Sequence, residues 1–340
     1  MTSDPTPEHI LQVGMGFWAS KALLSAVELE LFTVLGDESM TGPEVGERLR
    51  LHPRSLFDFL DALVSIGLLE RDGDGQQAKY RNTVESASFL DKSQQSYVGG
   101  ILEMSNSRLY GFWANLTEAL RTGAPQNEIK HGGDFFGALY ADEKRLEEFL
   151  RGMQGVQMGA FLALLDKVDL STASTLCDVG GANGALCGLA VQRHPHLRAM
   201  VFDLPPVLPI AQRHLAAVGV EDQVTLVGGD FFVDDLPTAD VIVMGNILHD
   251  WDEVQKRSLI GKARKALNDR GRLIAVENVI DDARRENTFG LLMSLNMLIE
   301  LPGGFDYTGA QFDRWCKEAG FDRTEIIPLA GPTSAAVAYT

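Results

Sequence analysis

The sequence predicts an α/β protein of two domains, a mostly helical first half followed by a parallel sheet covered by helices on both faces. Three observations carry that prediction. The chain has 340 residues, enough for about two domains with sizeable cores. Its first half repeats apolar residues at helical spacing around a single hairpin signal. Its second half alternates short apolar runs with helical ones, the pattern of a parallel sheet. The change of period sets the domains at 1–165 and 166–340.

Composition narrows the function. Thirty Lys and Arg stand against 47 Asp and Glu, a net charge of −17, and both halves are acidic. Such a field repels phosphate backbones and anionic lipid, so neither nucleic acid nor membrane is an expected partner. Cys177, Cys187 and Cys316 are too few and too scattered for a disulfide framework or a CxxC metal site, which fits a reducing cytoplasm. Met1 to Glu8 lacks the basic and apolar regions of a signal peptide. The apolar stretch Ile10 to Leu35 contains Lys21, Glu28 and Glu30 and reads as too charged for a membrane span.

In the first half, Val13, Phe17, Leu24, Val27 and Leu31 recur at helical spacing over more than one face of a helix from His9 to Leu35. That is either a core helix or a helix shared with a second copy. Thr41-Gly42-Pro43 opens a short helix, His52-Pro53 ends it, and Arg54 to Gly67 forms another. A hairpin from Leu68 follows, turning at Asp72-Gly73-Asp74-Gly75. Helix, turn, helix and hairpin together read as a winged helix. DNA binding would need a basic recognition helix, yet Thr41–Asn82 holds six basic and seven acidic side chains. Further helices are expected over Val98–Arg121 and Asp142–Lys167.

In the second half, strands are expected at Thr175–Val179, Ala199–Asp203, Val224–Val227, Val241–Gly245 and Leu273–Glu277. Helices Ala185–Arg193, Val207–Val218 and Glu253–Asn268 lie between them, and Ile326–Pro328 with Ala335–Tyr339 offer an antiparallel edge. Ligands of such sheets bind beyond the carboxyl ends of the strands.

A glycine-rich turn stands at the first of those ends, Asp178-Val179-Gly180-Gly181-Ala182-Asn183-Gly184. The dinucleotide spacing G-x-G-x-x-G fails, because Ala182 and Ala185 occupy its second and third glycines. Asp178 followed by GGxxG instead suits a cationic ligand with a nucleoside, such as S-adenosylmethionine (SAM). Asp203 ends the second strand, where a carboxylate can accept both ribose hydroxyls. Asp230 follows the third, where it can accept from an adenine amino group while Phe231 packs on the ring. A strand-end acid facing water is the commoner case singly, but three fall at successive ends.

Methyl transfer from a sulfonium needs the acceptor held in line and a proton removed from its hydroxyl. His249, in Asn246-Ile247-Leu248-His249-Asp250-Trp251-Asp252, is the only one of seven histidines just after the fourth strand. Glu277 ends the fifth strand, and Asp306 lies in Leu301-Pro302-Gly303-Gly304-Phe305-Asp306. A carboxylate on the imidazole fixes its tautomer and raises its basicity. A metal at His249, Asp250 and Asp252 is not expected, since contiguous side chains point apart. Met293 and Met297 share a helical face, with Met153 and Met158 on an earlier helix; they are core fillers or the lining for a flat aromatic acceptor.

The motifs DVGGANG, VFDLP, GGDFF, NILHDWDE and LPGGFDYTGAQF, in this order over nearly the whole chain, resemble bacterial members of the plant-type class I O-methyltransferases. The resemblance implies a Rossmann-like SAM-dependent methyltransferase domain preceded by a winged-helix dimerisation domain. It implies a homodimer whose N-terminal helices help to close the partner's pocket, acting without metal on a small aromatic or enolic hydroxyl compound. His249 then corresponds to the base and Glu277 and Asp306 to its flanking acids. The candidate SAM-binding residues are Asp178, Gly180, Gly181, Gly184, Asp203, Leu204, Asp230, Phe231, Gly245, Asn246 and Trp251. The candidate acceptor-binding residues are Met153, Met158, Met293, Asn296, Met297 and Glu300. Asp306 replaces the Glu usual in plant members, Gly245 stands where they often have a cofactor-contacting Lys, and Glu300 adds an unusual charge. Related scaffolds methylate carbon or nitrogen, and a SAM-sensing winged-helix regulator is the reading from another class.

Overall fold

A computed structural model gives the architecture over residues 5–94, 96–133, 135–140 and 143–340. The contacts divide the chain into two units, Met1–Gly111 and Phe112–Thr340.

The first unit opens with α1 (Glu8–Glu28). The expected single helix to Leu35 is broken where Glu30 turns left-handed at φ 57°, and a short turn of helix, Leu31–Leu35, follows. Along α1 only Leu24, Ala26 and Val27 are buried. Ile10, Val13, Phe17 and Trp18 are each more than half exposed. By length and composition α1 is apolar enough to cross a membrane, contrary to the sequence expectation. Between Glu8 and Lys21 it carries no Asp, Glu, Lys or Arg.

Next come β1 (Met40–Thr41), α2 (Gly42–Leu49), α3 (Leu56–Ser65), β2 (Leu69–Asp72) and β3 (Lys79–Asn82), a winged helix with strand order β1-β3-β2. A capping box starts α2: the Glu44 carboxylate accepts from the Thr41 backbone N–H at 2.7 Å. The β2–β3 connection is longer than a tight turn because it includes a 3-10 turn, Gly75–Gln77. Phe32, Leu35, Leu60, Leu63 and Tyr80 form the core. Three of the basic side chains are paired with acids, Arg48 with Glu38, Arg71 with Asp61 and Arg81 with Glu70. The helix expected over Val98–Arg121 passes through a π turn at Ser105–Leu109, resumes over Tyr110–Trp113, and breaks again before Leu116–Thr122.

The second unit contains α4 (Glu143–Lys167); Asp142, its expected first residue, lies outside the described residues. There follow β4 (Thr175–Val179), α5 (Ala185–Arg193), β5 (Arg198–Asp203), α6 (Leu208–Ala217), β6 (Val224–Gly228) and β7 (Ala239–Gly245). Then come α7 (Glu253–Ala266), β8 (Leu267–Glu277), α8 (Thr288–Glu300), α9 (Gly309–Glu318), β9 (Arg323–Pro328) and β10 (Ser334–Tyr339). Seven strands form one sheet, β6-β5-β4-β7-β8-β10-β9. The first five are parallel, and β10 and β9 form the antiparallel edge.

Alternation along each strand builds two cores, as a period of two requires. Leu176, Val201, Val243 and Ile274 face Phe161, Leu164 and Leu165 of α4 and Leu186 and Ala190 of α5. Cys177, Val179, Ile242 and Leu273 face Leu259, Ile260 and Ala263 of α7 and Phe312 and Trp315 of α9. This packing explains why the division falls after Gly111 rather than at 165. The described elements between 112 and 165 are helices, and α4 buries its apolar face in the sheet's own core.

Candidate active site

Strands β4 and β7 are neighbours although β5 and β6 lie between them in the chain, so the winding reverses there and a crevice opens beyond their carboxyl ends. Asp178, Gly180, Gly181, Ala182, Asn183 and Gly245 line it from the sheet, and Met153, Gln154, Gln157 and Phe161 from α4.

The glycine turn is shaped first by its own packing. Gly180 has φ 70°, and a Cβ there would lie 2.3 Å from Ile247 Cδ1. One on Gly181 would meet the Asp178 carboxylate at 3.0 Å. Gly184, at φ 79°, is the residue that begins α5. Charge is what points to a ligand. Asp178 is 3% exposed, and burial, reinforced by Asp203, raises its pKa to about 8. A carboxyl so placed gains most from a cationic partner.

Asp203 accepts from the Ala182 N–H at 2.8 Å and the Leu204 N–H at 2.7 Å, tying the glycine turn to the end of β5. Each oxygen keeps a second lone pair for a ligand hydroxyl. Asp230 accepts from the Phe232 N–H at 2.8 Å. Lys262 braces the same loop by donating to the carbonyls of Phe231 and Asp234, both at 2.7 Å. Phe231, Phe232 and Trp251 meet edge to face with ring centroids 4.6 to 5.8 Å apart. Asn246 ends β7 in the left-handed region at φ 52°.

His249 sits in a 3-10 turn, Leu248–Asp250, between β7 and α7. The start of α7 fixes that turn through a capping box in which Asp252 accepts from the Gln255 N–H at 2.8 Å. The loop carrying Asp306 packs on the turn's backbone: a Cβ on Gly304 would lie 2.9 Å from the His249 carbonyl. Only glycine allows that approach. The Phe305 N–H donates to the same carbonyl at 2.8 Å.

Imidazole and carboxylates thereby converge. His249 Nδ1 lies 3.5 Å from Glu277 Oε2 and 3.5 Å from Asp306 Oδ1, and Nε2 lies 3.4 Å from Asp250 Oδ1. These are ion-pair contacts, and His249 Nδ1, Glu277 Oε2 and both Asp306 oxygens have no hydrogen-bond partner. Their ligand atoms lie within 4.8 Å of one another, a spacing that suits one small cation or one shared proton. Burial alone disfavours the imidazolium, but Glu277, Asp250 and Asp306 outweigh it and push the pKa of His249 up to about 10. Burial raises Glu277 to about 7 and Asp250 to about 6, against the pull of the imidazolium.

The acceptor candidates divide. Met293 and Met297 are one turn apart on α8, which packs against the His249 turn. The same helix offers Ser294 Oγ to the Asp306 N–H at 3.1 Å. Asn296 is buried and accepts from the Trp113 indole N–H at 2.8 Å. The Glu300 carbonyl accepts from Asn127 at 2.9 Å. Met153 lines the crevice, whereas Met158, about 140° around α4 from it, does not.

Sequence reasoning missed Gln154 and Gln157 on α4, Asp250 and the buried Lys256. Gln154 accepts from Asn183 Nδ2 at 2.6 Å, and Gln157 reaches the Gly245 carbonyl at 3.4 Å. Two glutamines one turn apart on an otherwise apolar face were the available signal.

Residues 113–322 match the O-methyltransferase domain and residues 11–92 the O-methyltransferase dimerisation domain. The chain is 42% identical over 331 residues, 97% of its length and 96% of the relative's, to the tetracenomycin polyketide synthesis 8-O-methyl transferase TcmO of Streptomyces glaucescens. It is 37% identical to the N,N-dimethyltransferase OxyT of Streptomyces rimosus, over 81% of this chain and 79% of that one. Human N-acetylserotonin methyltransferase, solved with SAM, superposes with a TM-score of 0.90 at 28% identity, covering 100% of this chain and 99% of that one. With a crevice that fits a cationic nucleoside and matches over both halves of the sequence, the chain belongs to the SAM-dependent O-methyltransferase family.

Proposed function

We propose that this enzyme methylates a hydroxyl of a small polycyclic aromatic or enolic metabolite, with His249 as general base. SAM supplies an electrophilic methyl group. Asp178 takes its ammonium end, Asp203 its ribose hydroxyls, and Asp230 with Phe231 and Trp251 its adenine. Gly180, Gly181, Gly184, Leu204, Gly245 and Asn246 supply backbone and shape, and Phe161, with Gln157 beyond it, lies where a side chain at Gly245 would extend. Met153, Met293 and Met297 give a polarizable lining for a flat ring, with Asn296 and Glu300 as its polar contacts. Met158 falls outside this set.

One observation carries the base assignment: the imidazole is held between two buried carboxylates, Glu277 and Asp306, and the partly buried Asp250. Glu277 and Asp306 on Nδ1 hold a proton there, and Nε2, 3.4 Å from Asp250 Oδ1, is the nitrogen that takes the substrate proton when it is free of its own. With the imidazole pushed up to about 10, only its small neutral fraction can take a proton at neutral pH, and that fraction has a proton affinity close to a phenolate's. Replacing His249 by Ala should cut turnover about 10²–10⁴-fold while calorimetry shows S-adenosylhomocysteine affinity little changed. Loss of cofactor binding would make His249 structural instead.

The dimerisation-domain match and the exposed apolar turns of α1 support a homodimer in which α1 of one copy covers that of the other and helps to close its pocket. The three buried free thiols fit a cytoplasmic enzyme. Similarity to OxyT favours a second reading, transfer to an amine nitrogen, for which Glu300 would be the anionic contact.

A further inference from the structure

Lys256 is buried without solvent exposure in the first turns of α7. That is an unfavourable place for an ammonium, because burial penalises its charge and a helix N-terminus repels cations. Its surroundings account for it. Nζ donates to the Trp251 carbonyl and lies 3.5 Å from the centroid of the Phe305 ring. Trp251 closes the turn that carries His249, and Phe305 directly precedes Asp306. One ammonium therefore joins the two loops that bring the imidazole and its flanking acid together.

Glu277, Asp306, Asp250 and Asp252 all act electrostatically on that ammonium, and the first three also face His249. We propose that Lys256 is a positioning residue for methyl transfer: it clamps the His249 turn to the Asp306 loop and offsets the negative charge packed around the imidazole. This rests on His249 being the base. Without a nearby cation, buried carboxylates hold the imidazolium too tightly for it to release its proton between turnovers. Burial lowers the Lys256 pKa to about 8 against the pull of the same carboxylates.

The test reads charge separately from fold. Full-length Lys256→Gln keeps a donor for the Trp251 carbonyl but has no charge, whereas Lys256→Arg stays charged throughout. With histidines labelled at Cε1 and S-adenosylhomocysteine bound, NMR follows the His249 titration, identified by its absence in His249→Ala. The Arg variant should titrate about one pH unit or more below the Gln variant, with the wild type between them. Should Arg not fit, the coupling is read from the other side: in His249→Gln the Lys256 midpoint, followed through labelled lysine Cε, should rise by a similar amount. Coincident titrations in either comparison would overturn the proposal, as would unfolding of both Lys256 variants. Normal turnover of His249→Ala would instead defeat the base assignment while leaving the coupling in place.

Discussion

At the residue scale the site is a set of buried ionisable groups displaced from their usual pKa values, the acids and Lys256 chiefly by burial and His249 by the carboxylates around it. Asp203 illustrates how one carboxylate does two jobs, holding the glycine turn by two backbone bonds and keeping a lone pair on each oxygen. Asp203→Ala removes both, so affinity for S-adenosylhomocysteine should fall by about 1.5–3 kcal/mol in calorimetry. Unchanged affinity would mean that the carboxylate only braces the loop. Asp178 gives a sign to the pH dependence of binding. Its pKa of about 8 leaves it protonated at neutral pH, and only the carboxylate attracts a cation. Affinity should therefore rise with pH toward 8 and then level off, and Asp178→Asn should flatten that profile.

The positions of the acids at three successive strand ends and of one histidine after the fourth were legible in the sequence. Their second roles were not. Nothing in GGxxG says that Gly181 is glycine to clear the Asp178 carboxylate, or that Gly304 is glycine to touch the His249 carbonyl. Lys256 was invisible because a lysine in the first turns of an amphipathic helix ordinarily faces water.

At the scale of elements, the parallel strands and the helices between them were readable within a few residues, because a buried strand and its flanking glycines are local signals. Thr175–Val179 and Ala185–Arg193 needed no adjustment. The failures were tertiary. The break at Glu30, the π turn at Ser105–Leu109 and the membership of α4 in the sheet unit depend on contacts between distant residues. On the proposed mechanism, the loop 301–306 carries the acid that faces the base. Gly304→Ala would push it off the His249 turn and separate Asp306 from Nδ1. Turnover should fall about 10²-fold with cofactor affinity retained, as expected for a displaced catalytic group. Retained turnover would show that the loop tolerates the displacement.

At the scale of the molecule, ionisation and folding are linked. Asp178 and Glu277 have folded pKa values raised far above those of an unfolded chain, and His249 is raised as well. Groups of this kind contribute stability at low pH that is lost as pH rises through the folded value. Lys256, lowered to about 8, acts in the opposite direction, but it is one group against three. The ligand-free enzyme should melt at progressively lower temperature between about pH 6 and 9. SAM should restore most at the upper end, where Asp178 is ionised. A melting temperature that climbs over this range would contradict the burial of these groups. Assembly is the other property of the whole. Removing residues 1–36 takes away α1 and its exposed apolar turns, and the product should lose the dimer and its activity, as read by light scattering and turnover. A soluble, monomeric and fully active truncation would exclude a role for α1 in assembly.

The claim that joins these scales is transfer of a methyl group to oxygen with the proton taken by His249. Carbon-13 methyl-labelled SAM, incubated with a panel of hydroxylated polycyclic aromatics and followed by NMR, reports the atom that receives the label. The wild-type enzyme should place it on an aryl ether oxygen, and His249→Ala should form the same ether at least about 10²-fold more slowly. A label on nitrogen or carbon, or an ether formed equally fast without the imidazole, would contradict the account.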